Sequence, residues 1–308
     1  MSRATHSKGI ALINALVIVG AMSAIMVFVT RQTVDSHARV LTMQTGLQSS
    51  LYMDAMEPLL PVLLEEDWED DPTRDDLTDV WAREDFTVPI GRGIGQARIH
   101  DLQGRFNINW LTDLADTEAR TAFDRLITDL GLSPALGTAI AGFVSPEGPA
   151  NAATYQNRAS PIQTPNGPIR VITQLRAVAG MDTSDFERLR PYIAALPAPS
   201  DLNANTAAPE VLEALFPGLN EASVARIAQQ QRADPFAGIS GFVAALGRAT
   251  PSATQPGWPL DRVDVKTSWF HARLSAEVDG TPRQRHIFLN RRNDSGEVSV
   301  AFVIEGQL

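Results

Sequence analysis

A chain of 308 residues, 44% hydrophobic and 20% charged, has enough apolar material for two modest cores and too much for a disordered protein. Asp and Glu outnumber Lys and Arg by 36 to 26; the net charge of −10 repels nucleic-acid phosphates overall, and no local basic patch in the sequence overrides it. Cysteine is absent, which excludes a disulfide framework and thiolate metal sites, so stability rests on packing.

A polar leader, residues 1–8, carries Arg3, His6 and Lys8; after Gly9, residues 10–29 run without a formal charge. That is about the length that spans a bilayer. A secretory signal has a shorter apolar region and then a small-x-small cleavage site, whereas this run continues straight into Thr30, Arg31 and Gln32, as expected of a retained anchor. The positive leader stays in the cytoplasm, so the chain after Arg31 belongs on the far side of the membrane. The junction Lys8-Gly9-Ile10-Ala11-Leu12-Ile13 resembles the type IV prepilin signal. The resemblance implies cleavage between Gly9 and Ile10 by a membrane peptidase and methylation of the new amino terminus. Glycine leaves the backbone extended and accessible where the apolar helix begins. Pilins carry a glutamate as the fifth residue after the cut; here that place is Asn14. An unpaired ionised carboxylate in the apolar layer costs about 2 to 4 kcal/mol. A subunit that never docks beneath a neighbour has no use for one, so Asn14 marks a filament tip. An ordinary signal anchor with a chance Lys-Gly is the alternative.

Beyond the membrane run, Val34, Ala38, Leu41, Leu47 and Leu51 recur at roughly helical spacing, predicting one long amphipathic helix whose stripe packs on a sheet. Pro58 and Pro61 limit it. The acidic stretch 65–85 is expected as a solvated loop, and it lacks the D-x-D-x-D-G spacing of a calcium loop. Short strands follow at 86–90 and 96–100, joined by Gly91-Arg92-Gly93-Ile94-Gly95, a hairpin loop because Ala97-Arg98-Ile99 alternates like a strand. Asp101 to Gly104 has the composition of a type I turn.

Residues 111–246 read as helices with short loops: 117–130, then 136–144, then a Pro, Gly and Asn-rich loop over 145–167. A duplication follows. Leu175 to Asp182, with Phe186 and Leu189, echoes Leu212 to Asn220, with Val224 and Ile227. Each copy is expected as a helix, a glycine turn and a second helix capped by Asp182 or Asn220, a helix-hairpin-helix unit used structurally. From Val263 the pattern turns to strands: a long or bent region over 263–278, an Asp279-Gly280 turn, a strand over 283–292, and Val298, Val300, Phe302 and Ile304 alternating inward. The fold class is therefore α+β, with a large all-α region inserted between an early hairpin and late antiparallel strands.

The five histidines, His6, His37, His100, His271 and His286, form no His-x-x-x-His pair and flank no nucleophile elbow; no phosphate loop or dinucleotide fingerprint is present. No enzyme is expected.

Taken together, the chain resembles the protein K family of type II secretion, the large minor pseudopilins. The carriers are Gly9 to Ile13 without the pilin glutamate; Gly104-Arg105-Phe106-Asn107-Ile108-Asn109; Asn166-Gly167-Pro168; Leu175-Arg176 and Gly180-Met181; Pro191-Tyr192; and Leu202-Asn203-Ala204-Asn205-Thr206-Ala207. The resemblance implies a pilin-like α/β domain over 63–109 and 250–308, a leader over 1–9, a transmembrane segment over 10–30, an amphipathic continuation over 31–62, and an inserted helical domain over 110–249 with SAM-like units. It further implies cleavage by the prepilin peptidase and assembly with minor pseudopilins I and J at the pseudopilus tip, with pseudopilin H and the major pseudopilin G as further partners. The expected location is the bacterial inner membrane, single-pass, with the bulk of the chain in the periplasm. Calcium binding belongs to the family, but the corresponding segment here, residues 143–155, offers only Glu147, so no cofactor and no metal ligands are assigned. The competing reading is a membrane-anchored helix-hairpin-helix protein that binds DNA during uptake; a signal-anchored hydrolase is more distant, since no triad or metal spacing is present.

Overall fold

The computed structural model describes residues 6–83, 86–250, 259–306 and 308. Helix α1, His6–Met56, runs unbroken for 51 residues, about 75 Å at 1.5 Å per residue. It stops before Pro58, and the chain restarts as α2, Leu59–Asp70, with Pro61 accommodated in the first turn.

The stripe that packs is not the expected one. Val34, Leu41, Leu47 and Leu51 are all exposed. The contact with the sheet is made instead by Ser49, Met53 and Met56 of α1 and by Leu60 and Leu64 of α2, at intervals of three or four residues. Ser49 escaped the apolar pattern because it is polar; its hydroxyl is satisfied within the helix, donating to the Thr45 carbonyl at 2.9 Å.

The sheet has five strands in the order β1 (Phe86–Ile90), β2 (Gly93–Asp101), β7 (Trp269–Val278), β8 (Thr281–Arg291) and β9 (Val298–Glu305), every pair antiparallel. The intervening numbers belong to short strands: β3 (Phe106–Asn107) with β4 (Ile193–Ala194), and β5 (Leu202–Asn203) with β6 (Val263–Asp264), both pairs parallel. β2 and β7 are neighbours although residues 102–268 lie between them, so the helical region is looped out from the middle of the sheet. The β1–β2 hairpin is tighter than expected, closing on Gly91 and Arg92, while Gly93 already pairs with Val278. A Cβ at Gly93 would lie 1.7 Å from the Glu277 carbonyl oxygen, so only glycine allows that approach.

Two further expectations need correction. The stretch 263–278 is two strands in different sheets, not one bent strand. In β9 only Val298 is buried; Val300 is 40% exposed, because a register shift at Phe288/Leu289 and the edge position lift the strand's later residues off the core.

The looped-out region holds α3 (Thr117–Asp129), α4 (Pro134–Val144), the one-turn α5 (Ala153–Gln156), α6 (Thr183–Leu189), α7 (Pro209–Leu215), α8 (Glu221–Ala233) and α9 (Ile239–Ala249). Its core is aromatic-rich, with Phe106, Phe123, Phe186, Phe216 and Phe242 fully buried. The sheet has a separate core around Met53, Leu64, Trp81, Ile99, Phe270 and Leu289. Trp81 meets Phe270 edge-on at 5.3 Å.

Candidate functional site

The first candidate surface is α1. From Leu12 through Val29 every large hydrophobic side chain is exposed, including Leu16, Met22 and Phe28, and the apolar surface continues through Val40, Met43, Leu47 and Leu51. Helix α1 is long and apolar enough to cross a membrane. Gly9 and Ile10 lie on the helical backbone of α1, and Asn14 is an exposed residue one turn further on.

The second is the set of asparagine motifs. Asn107 donates to the Pro197 carbonyl at 2.9 Å and accepts from the amides of Asn109 and Leu196, both at 3.1 Å. Asn109 donates to the carbonyls of Ile169 and Leu196 at 2.9 and 2.8 Å and accepts from the Ile169 amide at 2.9 Å. Asn203 reaches the Asp75 carbonyl, Thr267 and Asp101, while Asn205 both donates to and accepts from the Phe236 backbone. All four side chains are buried. Each pins loops distant in sequence by both donating and accepting through one side-chain amide, so these motifs are structural connectors.

The acidic stretch is also not the solvated loop expected. Residues 65–70 complete α2, and Asp75 and Asp76 are buried. Carboxylate oxygens of Asp67, Asp75 and Asp79 lie within 4.8 Å of one another. Burial, reinforced by the charges of Asp79 and Asp75, pushes the Asp67 carboxyl up to about 7. Burial likewise raises Asp79 to about 6, and raises Asp75 against the pull of Arg291. Arg291 enters this cluster from β8: it pairs with Asp75, lies 3.4 Å from Asp67, and donates to the carbonyls of Leu64 at 3.2 Å and Thr267 at 3.0 Å. The guanidinium already supplies the cation, and a divalent ion would meet that charge at contact range. The cluster does not fit calcium. Nor does the segment 143–155, whose one carboxylate, Glu147, is exposed, against the roughly six to eight oxygen ligands calcium takes.

In the duplicated stretches the turn glycines have positive φ, +86° at Gly180 and +95° at Gly218. Asp182 accepts from the Asp185 amide at 2.7 Å and Asn220 from the Ser223 amide at 2.9 Å, capping α6 and α8. The first copy enters its turn from a 3-10 segment, Ile172–Ala177, and the second from α7.

Comparison with known proteins decides between the readings. A family model described as type II secretion system (T2SS), protein K, matches residues 104–198, and a second of the same description matches 202–258. The type II secretion system protein K of Aeromonas hydrophila is 31% identical, with 96% of each chain covered. The chain belongs to the type II secretion system protein K family. It is a minor pseudopilin of type II secretion, and the DNA-uptake alternative finds no support. The protein K of Klebsiella pneumoniae is 28% identical over 93% of each chain. A solved structure, the GspK-GspI-GspJ complex from the enterotoxigenic Escherichia coli type 2 secretion system, matches at 22% identity with a TM-score of 0.74, covering 88% of this chain and 100% of that one. The chain is accordingly a mixed helix–sheet protein anchored in a membrane by one long apolar N-terminal helix.

Sequence reasoning missed Arg291 and Asp75. No local pattern links residues 216 apart.

Proposed function

We propose that this minor pseudopilin is a non-enzymatic tip subunit of the secretion pseudopilus, promoting export across the outer membrane. Before assembly, residues 10–30 hold it in the inner membrane and the rest of the chain lies in the periplasm. Prepilin peptidase cuts between Gly9 and Ile10, and Ile10 is methylated. The reading rests on one observation above all: α1 leaves its apolar run from Leu12 to Val29, and further apolar side chains from Val40 to Leu51, uncovered, far more than a soluble monomer tolerates. Lipid covers its first half before assembly, and partner helices cover the whole of it afterwards.

By analogy with the solved GspK-GspI-GspJ assembly, pseudopilins I and J are the first such partners, with H and the major pseudopilin G further along the filament. Asn14 supports the tip position, since a subunit with no neighbour above it has no terminal amine to pair with a carboxylate. The division into a pilin-like α/β domain, 63–109 with 250–308, and an inserted helical domain, 110–249, gives the same answer. A bulky insert carrying helix-hairpin-helix units clashes inside a shaft and is accommodated at an end.

The decisive experiment is intact mass and amino-terminal sequencing of the protein from cells with and without prepilin peptidase. A chain beginning at methylated Ile10 only when the peptidase is present is the expected result. Retention of residues 1–9 in both strains sinks the processing and tip assignments together.

A further inference from the structure

The sheet face turned away from α1 carries three imidazoles in a row. His100 of β2 and His271 of β7 are direct cross-strand partners, 6.2 Å between ring centroids; His271 stacks on His286 of β8 at 5.1 Å with 9° between planes. His271 Nε2 and His286 Nδ1 share a hydrogen bond of 2.9 Å. Phe288, the cross-strand partner of His271, continues the floor at 5.0 Å. Over this floor lies a cavity of ≈ 290 Å³, walled by Arg273 of β7, by Arg105 on the segment leaving β2, by Arg190 after α6 and by Arg170 on the loop before the 3-10 segment.

No Asp or Glu side chain lines this cavity, in a chain whose net charge is −10; Leu308, the last residue, also lines it. Two of the arginines are engaged elsewhere: Arg190 pairs with Glu187 at 3.0 Å, and Arg170 lies over the Phe302 ring. Among the described residues Arg105 has neither a hydrogen bond nor an ion pair; burial lowers its pKa, the charge of Asp101 opposes that, and the charge of Arg190 adds to it. The same field reaches the imidazoles. His271 is pushed well below its usual range by burial, then by His286, His100, Arg105 and Arg273. His286 is 6% exposed, and its Nε2 lacks a hydrogen bond of normal geometry. Clustered cations, with Arg105 lacking a hydrogen-bond acceptor, and apolar walls from Leu102, Ile172 and Ile193 make a site suited to an anion.

We propose that this cavity, at the junction of the sheet with the helical region, binds a small organic oxyanion: a carboxylate or phosphate monoester with a compact apolar body. Arg105 and Arg273 hold the oxyanion and the apolar body lies along Phe288 and Ile172. Arg105 is the expected principal contact, because a guanidinium without a protein acceptor gains most from a charge-assisted hydrogen bond.

The test is calorimetric titration of the full chain in detergent with phenyl phosphate, with benzoate, and with neutral benzamide. At least one anion should saturate a single site at concentrations on the order of 10 mM or below, benzamide binding about tenfold more weakly or not at all. The anion that binds more tightly identifies phosphate ester or carboxylate as the natural chemistry. Arg105→Gln should weaken the anion about tenfold at unchanged melting temperature. Should that variant unfold, Arg170→Gln, on an exposed loop, should still weaken it several-fold, on the order of an exposed charge. Failure of both anions to saturate, equal binding of benzamide, or undiminished binding in folded variants overturns the proposal.

Discussion

Arg291 and Asp75 form an ion pair sealed from solvent, their side chains 2% and 3% exposed, and it joins the last strands of the sheet to the segment following α2. The Asp75 carboxylate also accepts from the Thr267 amide at 2.7 Å, and the Arg291 guanidinium lies over the Phe270 ring at 4.9 Å. Arg291 Nε is left without a hydrogen-bond partner, and a buried pair of this kind adds modestly to net stability but makes the loss of either partner severe.

Arg291→Ala should therefore cost about 3 to 5 kcal/mol, because it leaves three carboxylates in one buried place without a cation. Asp75→Asn combined with Arg291→Met should cost distinctly less than Arg291→Ala alone. Unfolding of the full chain in detergent, followed by near-UV circular dichroism, measures both. A wild-type melting curve for Arg291→Ala would remove the pair from the fold's supports.

Asp67 predicts a pH dependence of defined sign. Its carboxyl sits at about 7 in the folded chain against an ordinary 3.8, so the folded state keeps a proton that the unfolded chain releases. Stability is fully present below the unfolded value and declines as pH rises from about 4 to about 7. Asp79 and Asp101, each raised to about 6 by burial, act in the same direction over a narrower window. Asp67→Asn should flatten the upper end of this decline, so the variant melts higher than wild type at pH 8 and equally at pH 4. The opposite ordering at pH 8 would mean that the attraction to Arg291 outweighs burial at this carboxyl.

Asn109 tests the reading of the asparagine motifs as connectors. Its amide satisfies the backbone of Ile169 on both sides and the Leu196 carbonyl, all in the interior. Asn109→Ala leaves those groups buried without partners, at roughly 1 to 3 kcal/mol for each one that water cannot reach. Denaturant unfolding should show a loss of at least about 2 kcal/mol. Little change would mean that water enters and replaces the amide.

How far the sequence carried the fold depends on whether the signal was local. Strand β1 and helices α3 and α4 were legible because alternation, caps and proline sit within each segment. The packing stripe on α1 was misread because Gly46 and Ser49 face the sheet region while the apolar Leu47 and Leu51 face outward. A helix with two apolar faces does not reveal by hydrophobic periodicity alone which one its own domain takes. The acidic run was misread for a different reason. Its neutralising arginine comes from the far end of the chain, and only the closed sheet brings Arg291 beside Asp75. The cationic cavity was equally out of reach, being assembled from β2, β7, β8 and two loops of the helical region.

The two faces of α1 give the sharpest functional test. Met53 is 1% exposed and packs in the sheet core, whereas Leu47 and Leu51 are 68% and 66% exposed. Met53→Ala should destabilise the fold by about 2 to 5 kcal/mol, as large-to-small core changes do. Leu47→Ser with Leu51→Ser should change stability by no more than about 0.5 kcal/mol per site, since neither side chain touches the core. If this face is the seat of partner helices, the double variant should nevertheless fail to co-purify with pseudopilins I and J and should depress export. Melting temperature, co-purification and secreted protein are read on the same strains. A double variant that assembles and exports normally would move the partner interface off this stretch of α1, leaving only its membrane half as the apolar surface still to be explained.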